Sequence, residues 1–398
     1  MIMNKETKKF ILENIEADIL QLALQAARFP LVDMPLAIRQ INGKQKIKTK
    51  VPSFYQNDAI LYPVQLSLEQ SSSEATAKYK ANLCEGHTLV DLTGGFGIDT
   101  FIFANRFKQV TYVERQPELC RLATHNFNIM GQSNIKVVEA QAEEFLTTLS
   151  KVDWIYVDPA RRNSQGKKVI FLSDCEPNIS DLWSLLREKA WHVMIKLSPM
   201  IDISAVIGEL PGNYDIHIIS VDNECKEVLL IFDEITGKKR KIKTVNILKN
   251  KNNQFFEFSF EEENAAENSY STQLKKYLYE PNASVLKSGA FKSIGTAFGL
   301  NKLHINTHLY TSSKLSLQFP GRIFEVQKCW GNSKKEQKDL VSTITNANIS
   351  VRNYPSSVEE LRRKLKIKEG GEIYLFACTL ASNQKVIVEC KKIMPDAD

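Results

Sequence analysis

Long apolar runs are missing from this chain, and none approaches the ~20 residues that a membrane-spanning helix needs. The first ten residues, Met1 to Phe10, carry neither the apolar region nor the small-residue cleavage site of a secretory signal. Cysteine is scarce: seven are scattered with no C-x-x-C pair, which argues against a disulfide scaffold and against a zinc cluster. Internal repeats and low-complexity tracts are absent too. Excess charge is small, and a net +6 is compatible with a polyanionic partner without demanding one. These absences predict a cytoplasmic protein with no metal site. What remains is the composition of an ordinary folded chain, 43% hydrophobic and 25% charged over 398 residues, enough for roughly two to four domains.

One stretch organises the rest: Val90-Asp91-Leu92-Thr93-Gly94-Gly95-Phe96-Gly97-Ile98-Asp99-Thr100. An apolar run from Thr88 to Leu92 carries an acid, meets three glycines within four positions, and leads into an amphipathic segment from Ile98 to Phe107. A strand, a tight turn and a helix start wrap backbone N–H groups around a nucleotide-like ligand. A dinucleotide fingerprint would place a third small residue at position 100, which is Thr100 here. The next strand, Gln109 to Glu114, ends in a carboxylate placed to accept both hydroxyls of a ribose, a group shared by NAD and S-adenosylmethionine (SAM). A third strand, Ile135 to Glu139, precedes a fourth, Trp154 to Asp158, which runs into Pro159-Ala160-Arg161-Arg162.

With those residues in place the chain resembles the class I SAM-dependent methyltransferases. Asp91-Leu-Thr93-Gly-Gly95-Phe-Gly97 is similar to their first motif, Glu114 to their ribose acid, and Asp158-Pro159-Ala160-Arg161 to the slot of their [DNS]-P-P-[YFWR] motif. Gln141-Ala142 stands where the family has an acid plus a small residue near the adenine, and a Gln carbonyl can still accept from the exocyclic amine. The whole chain resembles the bacterial group with a C-terminal THUMP-like module, through Ser67 to Lys80, the core motifs, and Val351 to Leu365. The resemblance implies SAM as cofactor and a Rossmann-like seven-stranded α/β methyltransferase sheet with one reversed strand. It also implies small C-terminal α+β modules, ferredoxin-like and then THUMP-like.

Periodicity supplies the remaining organisation. Residues 1–80 predict a mainly helical region, because Phe10, Ile11, Ile15, Ile19, Leu20 and Leu22 recur at helical steps, with Pro30 and Pro35 as breaks. Lys44 to Lys50 alternates lysines like an edge strand, either solvated or phosphate-contacting. Residues 67–83 predict one helix whose hydroxyl-rich start, with Ser72 and Thr76, suits capping or the carboxylate of SAM. The methyltransferase domain is expected over 81–235, from alternating strands and helices that predict a mainly parallel sheet. Residues 236–280 predict a linker or hairpin, 281–325 the ferredoxin-like module and 326–398 the THUMP-like module.

Methyl transfer is an in-line displacement in which the cofactor carries the intrinsic reactivity, so the protein must align the acceptor and manage its proton. Asp158, Pro159, Arg161 and Lys196 are therefore the expected catalytic set, with Arg161 and Arg162 placed to stack on a base or clamp a phosphate. Ser72, Thr76, Asp91, Thr93, Gly95, Gly97, Glu114, Gln141, Ala142 and Asp158 are the expected cofactor set. The expected partner is structured RNA, rRNA or tRNA, methylated at a base. Three other readings stand beside it. Asp158, Lys196 and Glu227, with Lys78 or Lys80, would suit ribose 2′-O-methylation. Cys175 or Cys225 would suit a covalent mechanism. A non-catalytic SAM-fold RNA-binding protein would need none of this chemistry.

Overall fold

A computed structural model describes residues 3–161, 172–234, 240–249, 252–331 and 333–394. The chain divides into two compact units, one formed by 1–214 with 228–239, the other by 215–227 with 240–398. No helix among the described residues is long and apolar enough to cross a membrane.

The first unit opens with capped helices. Asn4, Asp18 and Asp33 each accept a backbone N–H at the start of Lys5–Glu13, Ile19–Leu24 and Met34–Lys50. Phe10, Ile11, Leu22, Met34, Ala37 and Ile41 pack these helices into one cluster. Pro35 lies in the first turn of the third helix, where its missing N–H costs nothing.

The lysine-rich stretch 44–50 is helical, correcting the strand-like expectation. Ile41, Lys44 and Ile47 recur at helical spacing and are all buried, and that period overrides the alternation of the lysines. Each lysine is engaged: Lys44 with Asp58, Lys46 with Glu69, Lys48 with Glu16, and Lys50 with the carbonyls of Leu68 and Glu69. The expected single helix over 67–83 is two, Gln65–Gln70 and Glu74–Asn82, because Ser71 and Ser73 are extended between them.

Five parallel strands follow: β1 (Thr88–Asp91), β2 (Gln109–Glu114), β3 (Ile135–Glu139), β4 (Val152–Val157) and β5 (Ala190–Leu197). Their order is β3-β2-β1-β4-β5. β6 (Tyr214–Val221) and β7 (Glu224–Asp233) come next, and Val228–Asp233 of β7 pairs antiparallel with β5. This is the reversed strand the resemblance implied. Parallel strands put all their carboxyl ends on one edge, which gathers the residues after β1, β2, β4 and β5.

In the second unit β6 pairs parallel with β8 (Ile242–Ile247), which pairs antiparallel with β9 (Gln254–Phe258). Lys238 and Lys239 lie outside the described residues, while Lys241 and Lys243 pair with Glu257 and Asp215. The rest of the unit is built on one seven-stranded sheet. Its strands are β10 (Tyr277–Pro281), β11 (Asn301–His304), β12 (Thr307–Ser312), β13 (Gly321–Trp330), β14 (Asn348–Arg352), β15 (Ile373–Thr379) and β16 (Lys385–Lys392), in the order β11-β12-β10-β13-β16-β15-β14. β10 is flanked by β12 on one side and β13 on the other, so the sheet runs without a break from 277 to 392. Leu278, Leu309, Phe324, Phe376 and Val388 fill one core of this unit. A second core, with Trp330, Leu375 and Ile387, lies under the helices Lys334–Thr343 and Val358–Leu365.

Candidate active site

The glycine turn is shaped from inside. Gly95 and Gly97 have φ of +53° and +84°, conformations that residues with a Cβ adopt at a cost. Gly94 must be bare for a different reason: a Cβ there would lie 2.2 Å from the Tyr112 ring, whose hydroxyl donates to the Gly95 carbonyl at 2.7 Å. Asp91 braces the turn, accepting from Thr93 N–H at 3.0 Å and from the Thr100 hydroxyl at 2.6 Å. Burial pushes the Asp91 carboxyl up to about 7, against those hydrogen bonds.

Glu114 closes the other side of the turn, accepting from Gly95 N–H at 3.1 Å and Gln116 N–H at 2.9 Å. A carboxylate has about four acceptor sites, so two ribose hydroxyls can still reach it. Beside Gly95 the space is open, since a Cβ there would meet only the Thr93 carbonyl, at 3.8 Å. The residues present fit SAM: an open glycine turn and a ribose-competent acid. Gln141 is exposed and Ala142 buried just beyond β3, next to the start of the helix Ala142–Thr148.

Past β4, Asp158 N–H donates to the Thr93 hydroxyl at 2.6 Å, which ties the end of that strand to the glycine turn. The Asp158 carboxylate is ion-paired with Lys196 of β5. Burial raises the Asp158 carboxyl above the ordinary range, with Lys196 and then Lys80 pulling it back. Arg162 lies outside the described residues, as does the Arg161 side chain, and the Arg161 backbone pairs with Cys175.

Sequence reasoning named Ser72 and Lys80 but missed the polar cluster that they form with Asp99 and Tyr156. Asp99, in the first turn of the helix Ile98–Phe103, accepts from Ser72 at 2.7 Å and Tyr156 at 2.9 Å and stands 2.9 Å from the Lys80 ammonium. Lys80 has no exposed side-chain surface and also donates to Ser72 at 2.7 Å and Tyr156 at 3.3 Å. Burial is the largest effect on Asp99 and pushes its carboxyl up, but Lys80, Lys196 and the hydroxyls together hold it below the ordinary range. The available signal was Asp99 itself, an acid among Phe96, Ile98, Phe101, Ile102 and Phe103.

The remaining candidates separate. Thr76 spends its hydroxyl on the Ser73 carbonyl, and Lys78 sits on the surface with Glu74. Glu227 is buried, one residue before the Val228–Leu197 pair of β7 and β5, and burial pushes the Cys225 thiol up to about 11, opposite to what a nucleophile needs. Cys175 is buried.

Three family models match in sequence order: ribosomal RNA adenine dimethylase at 74–182, a ferredoxin-like domain at 277–320 and a THUMP domain-like module at 321–392. Two relatives are named ribosomal RNA small subunit methyltransferase J. The protein of Hydrogenovibrio crunogenus is 32% identical over 87 residues, 19% of this chain and 32% of that one. That of Coxiella burnetii is 28% identical over 141 residues, 31% and 53% of the two chains. The chain thus spans between a third and about half the length of these relatives. A crystal structure of a "putative methyltransferase from Porphyromonas gingivalis W83" matches at 32% identity with a TM-score of 0.88, over 99% of this chain and 100% of that one. Agreement of that extent over the length of both chains means that the chain belongs to the family of the Porphyromonas gingivalis methyltransferase.

Proposed function

We propose that this chain is a SAM-dependent methyltransferase acting on RNA, at an exocyclic amine of a base in ribosomal RNA. The observation that supports the reading is the 2.6 Å bond from Asp158 N–H to the Thr93 hydroxyl, which ties the residue after β4 to the glycine turn. The names of the two relatives and the dimethylase and THUMP domain-like matches support RNA as the substrate.

Bound SAM would supply an electrophilic methyl group. The glycine turn 94–97 would hold it, and Glu114 would take the ribose hydroxyls. Asp158 would accept the hydrogens of the amine, orient its lone pair toward the methyl and take its proton, while Pro159 fixes the turn. Lys196 offsets part of the burial that disfavours the carboxylate's charge. Residues 240–398 would bind the RNA.

Ribosomal RNA from a strain lacking the gene, incubated with the protein and methyl-tritiated SAM, should become labelled. Asp158→Asn should slow transfer by about 10²- to 10⁴-fold, the range of one general base, with SAM binding retained in calorimetry. NADH binding without SAM binding, or full activity in Asp158→Asn, would overturn the reading. The Lys196–Asp158 pair also supports ribose 2′-O-methylation. Nucleoside analysis of the labelled RNA separates the two, because the label then sits on ribose.

A further inference from the structure

Ser72 lies where two buried ion pairs meet. It stands in the extended break between the helices Gln65–Gln70 and Glu74–Asn82 and is 5% exposed. Its hydroxyl donates to Asp99 at 2.7 Å and accepts from Lys80 at 2.7 Å and from Lys196 at 3.4 Å. One oxygen thus faces two ammonium groups, and its own proton goes to the carboxylate paired with the first of them. The second ammonium is the one paired with Asp158. Two like charges converge in a buried place only with an acceptor between them, since a buried charge without a partner is costly.

We propose that Ser72 is a positioning residue of the methyl-transfer site, its hydroxyl orienting Lys196 onto Asp158 by bridging it to the Lys80–Asp99 pair. This deepens the methyltransferase reading and rests on it for the role of Asp158. The groups facing the Asp158 carboxylate come from four elements: Lys196 from β5, Lys80 from the helix Glu74–Asn82, Asp99 from the helix Ile98–Phe103, and Asp91 from β1. Without the hydroxyl, Lys80 and Lys196 repel each other with no oxygen between them, and Lys196 loses its second anchor. Asp158 then keeps less of the cation that opposes its burial, and its carboxyl rises further. Ser72 acts through Lys196 and needs no contact with the acceptor.

The test is the titration of Asp158 in full-length protein carrying ¹³C-labelled aspartate carboxyls, its resonance assigned by loss in Asp158→Asn. Ser72→Ala should move the midpoint up by about one pH unit and lower kcat on the ribosomal RNA substrate with little change in KM. Ser72→Thr, which keeps the hydroxyl, should return the midpoint. If Ser72→Ala loses cooperative unfolding, Ser72→Cys carries the test, because it keeps the size of the side chain but replaces the hydroxyl with a weak acceptor and should also raise the midpoint. A midpoint that stays or falls in the variant that folds overturns the proposal. The titration needs no substrate, so a protein inactive on ribosomal RNA would defeat the functional reading and leave this result standing by itself.

Discussion

Replacing Lys80 with methionine isolates the energetics of the buried cluster. The side chain is unexposed, its partner Asp99 retains 10% exposure, and Met fills nearly the same volume. The substitution leaves a buried carboxylate without its cation and removes a donor from Ser72 and from Tyr156. Breaking a buried pair from one side costs about 3–5 kcal/mol, whereas removing both charges together is often close to neutral. At about 2–4 °C per kcal/mol for a unit of this size, Lys80→Met should melt on the order of 10 °C lower, and Lys80→Met/Asp99→Asn should recover most of that. Acid dependence gives a second handle. Burial, the largest effect, raises the Asp99 carboxyl, yet Lys80, Lys196 and the hydroxyls outweigh it and hold the carboxyl low. Its stabilisation is therefore present above the unfolded carboxylate value and lost as pH falls through the lower folded one. Thermal melts by circular dichroism from pH 2 to 8 should show the gap between wild type and Lys80→Met closing below about pH 4. A gap below 2 °C at pH 7, or one that widens on acidification, refutes the reasoning.

Gly97→Ala should destabilise the first unit by about 2–4 kcal/mol, from left-handed strain and crowding, because its Cβ would sit 2.7 Å from the buried Phe127 ring at a φ of +84°; urea unfolding that matches wild type would count against the turn geometry. In the second unit, burial lowers buried Lys302 to about 8. Its unfolded form binds a proton first, so folding is penalised below that value and the penalty fades as pH rises toward the unfolded lysine value. Lys302→Met should accordingly raise stability at pH 7 on the order of 2 kcal/mol, with the advantage disappearing near pH 10.5; a constant advantage across that range would show that packing, not charge, is responsible. On the helix Val358–Leu365 and just beyond it, Arg363, Lys364, Lys366 and Lys368 are exposed, whereas Arg362 donates to the Ala347 carbonyl and reaches Glu369. Changing the four exposed residues to Gln should weaken RNA binding and flatten its salt dependence by about 0.7–0.9 in log–log slope per lost contact, and an unchanged slope in filter binding would remove this face from the interface.

The parts of the site that were legible in the sequence are those fixed by local chemistry. Gly95 and Gly97 take a conformation that side chains resist, and Glu114, Asp158 and Lys196 stand at strand ends that the alternation of apolar runs places on one edge. The cluster below them was not legible, because its meaning lies in pairs far apart along the chain. Lys80 could be named only as one of two candidate lysines on its helix, while Tyr156 looks like a core aromatic and Asp99 like a first-turn acid favoured by the helix dipole. Only the fold brings them to Ser72. The lysines of 44–50 misled for the opposite reason, since their alternation mimics a strand while Ile41, Lys44 and Ile47 carry the helical period. Continuity of the C-terminal sheet was also hidden, because Tyr277–Pro281 finds β13 some forty residues further on.

That continuity bears on how such a chain can change over generations. Glu280, on β10, is 2% exposed and is held by Arg322 of β13 (Nε at 2.6 Å) and by Arg352 of β14 at 2.6 Å. A lineage that dropped or exchanged the segment from 321 onward would strip both cations from a carboxylate that water does not reach, and would leave one flank of β10 without its ladder. Separating these two segments, which match separate family models, would therefore leave Glu280 without its arginines unless the carboxylate itself were exchanged for an apolar side chain.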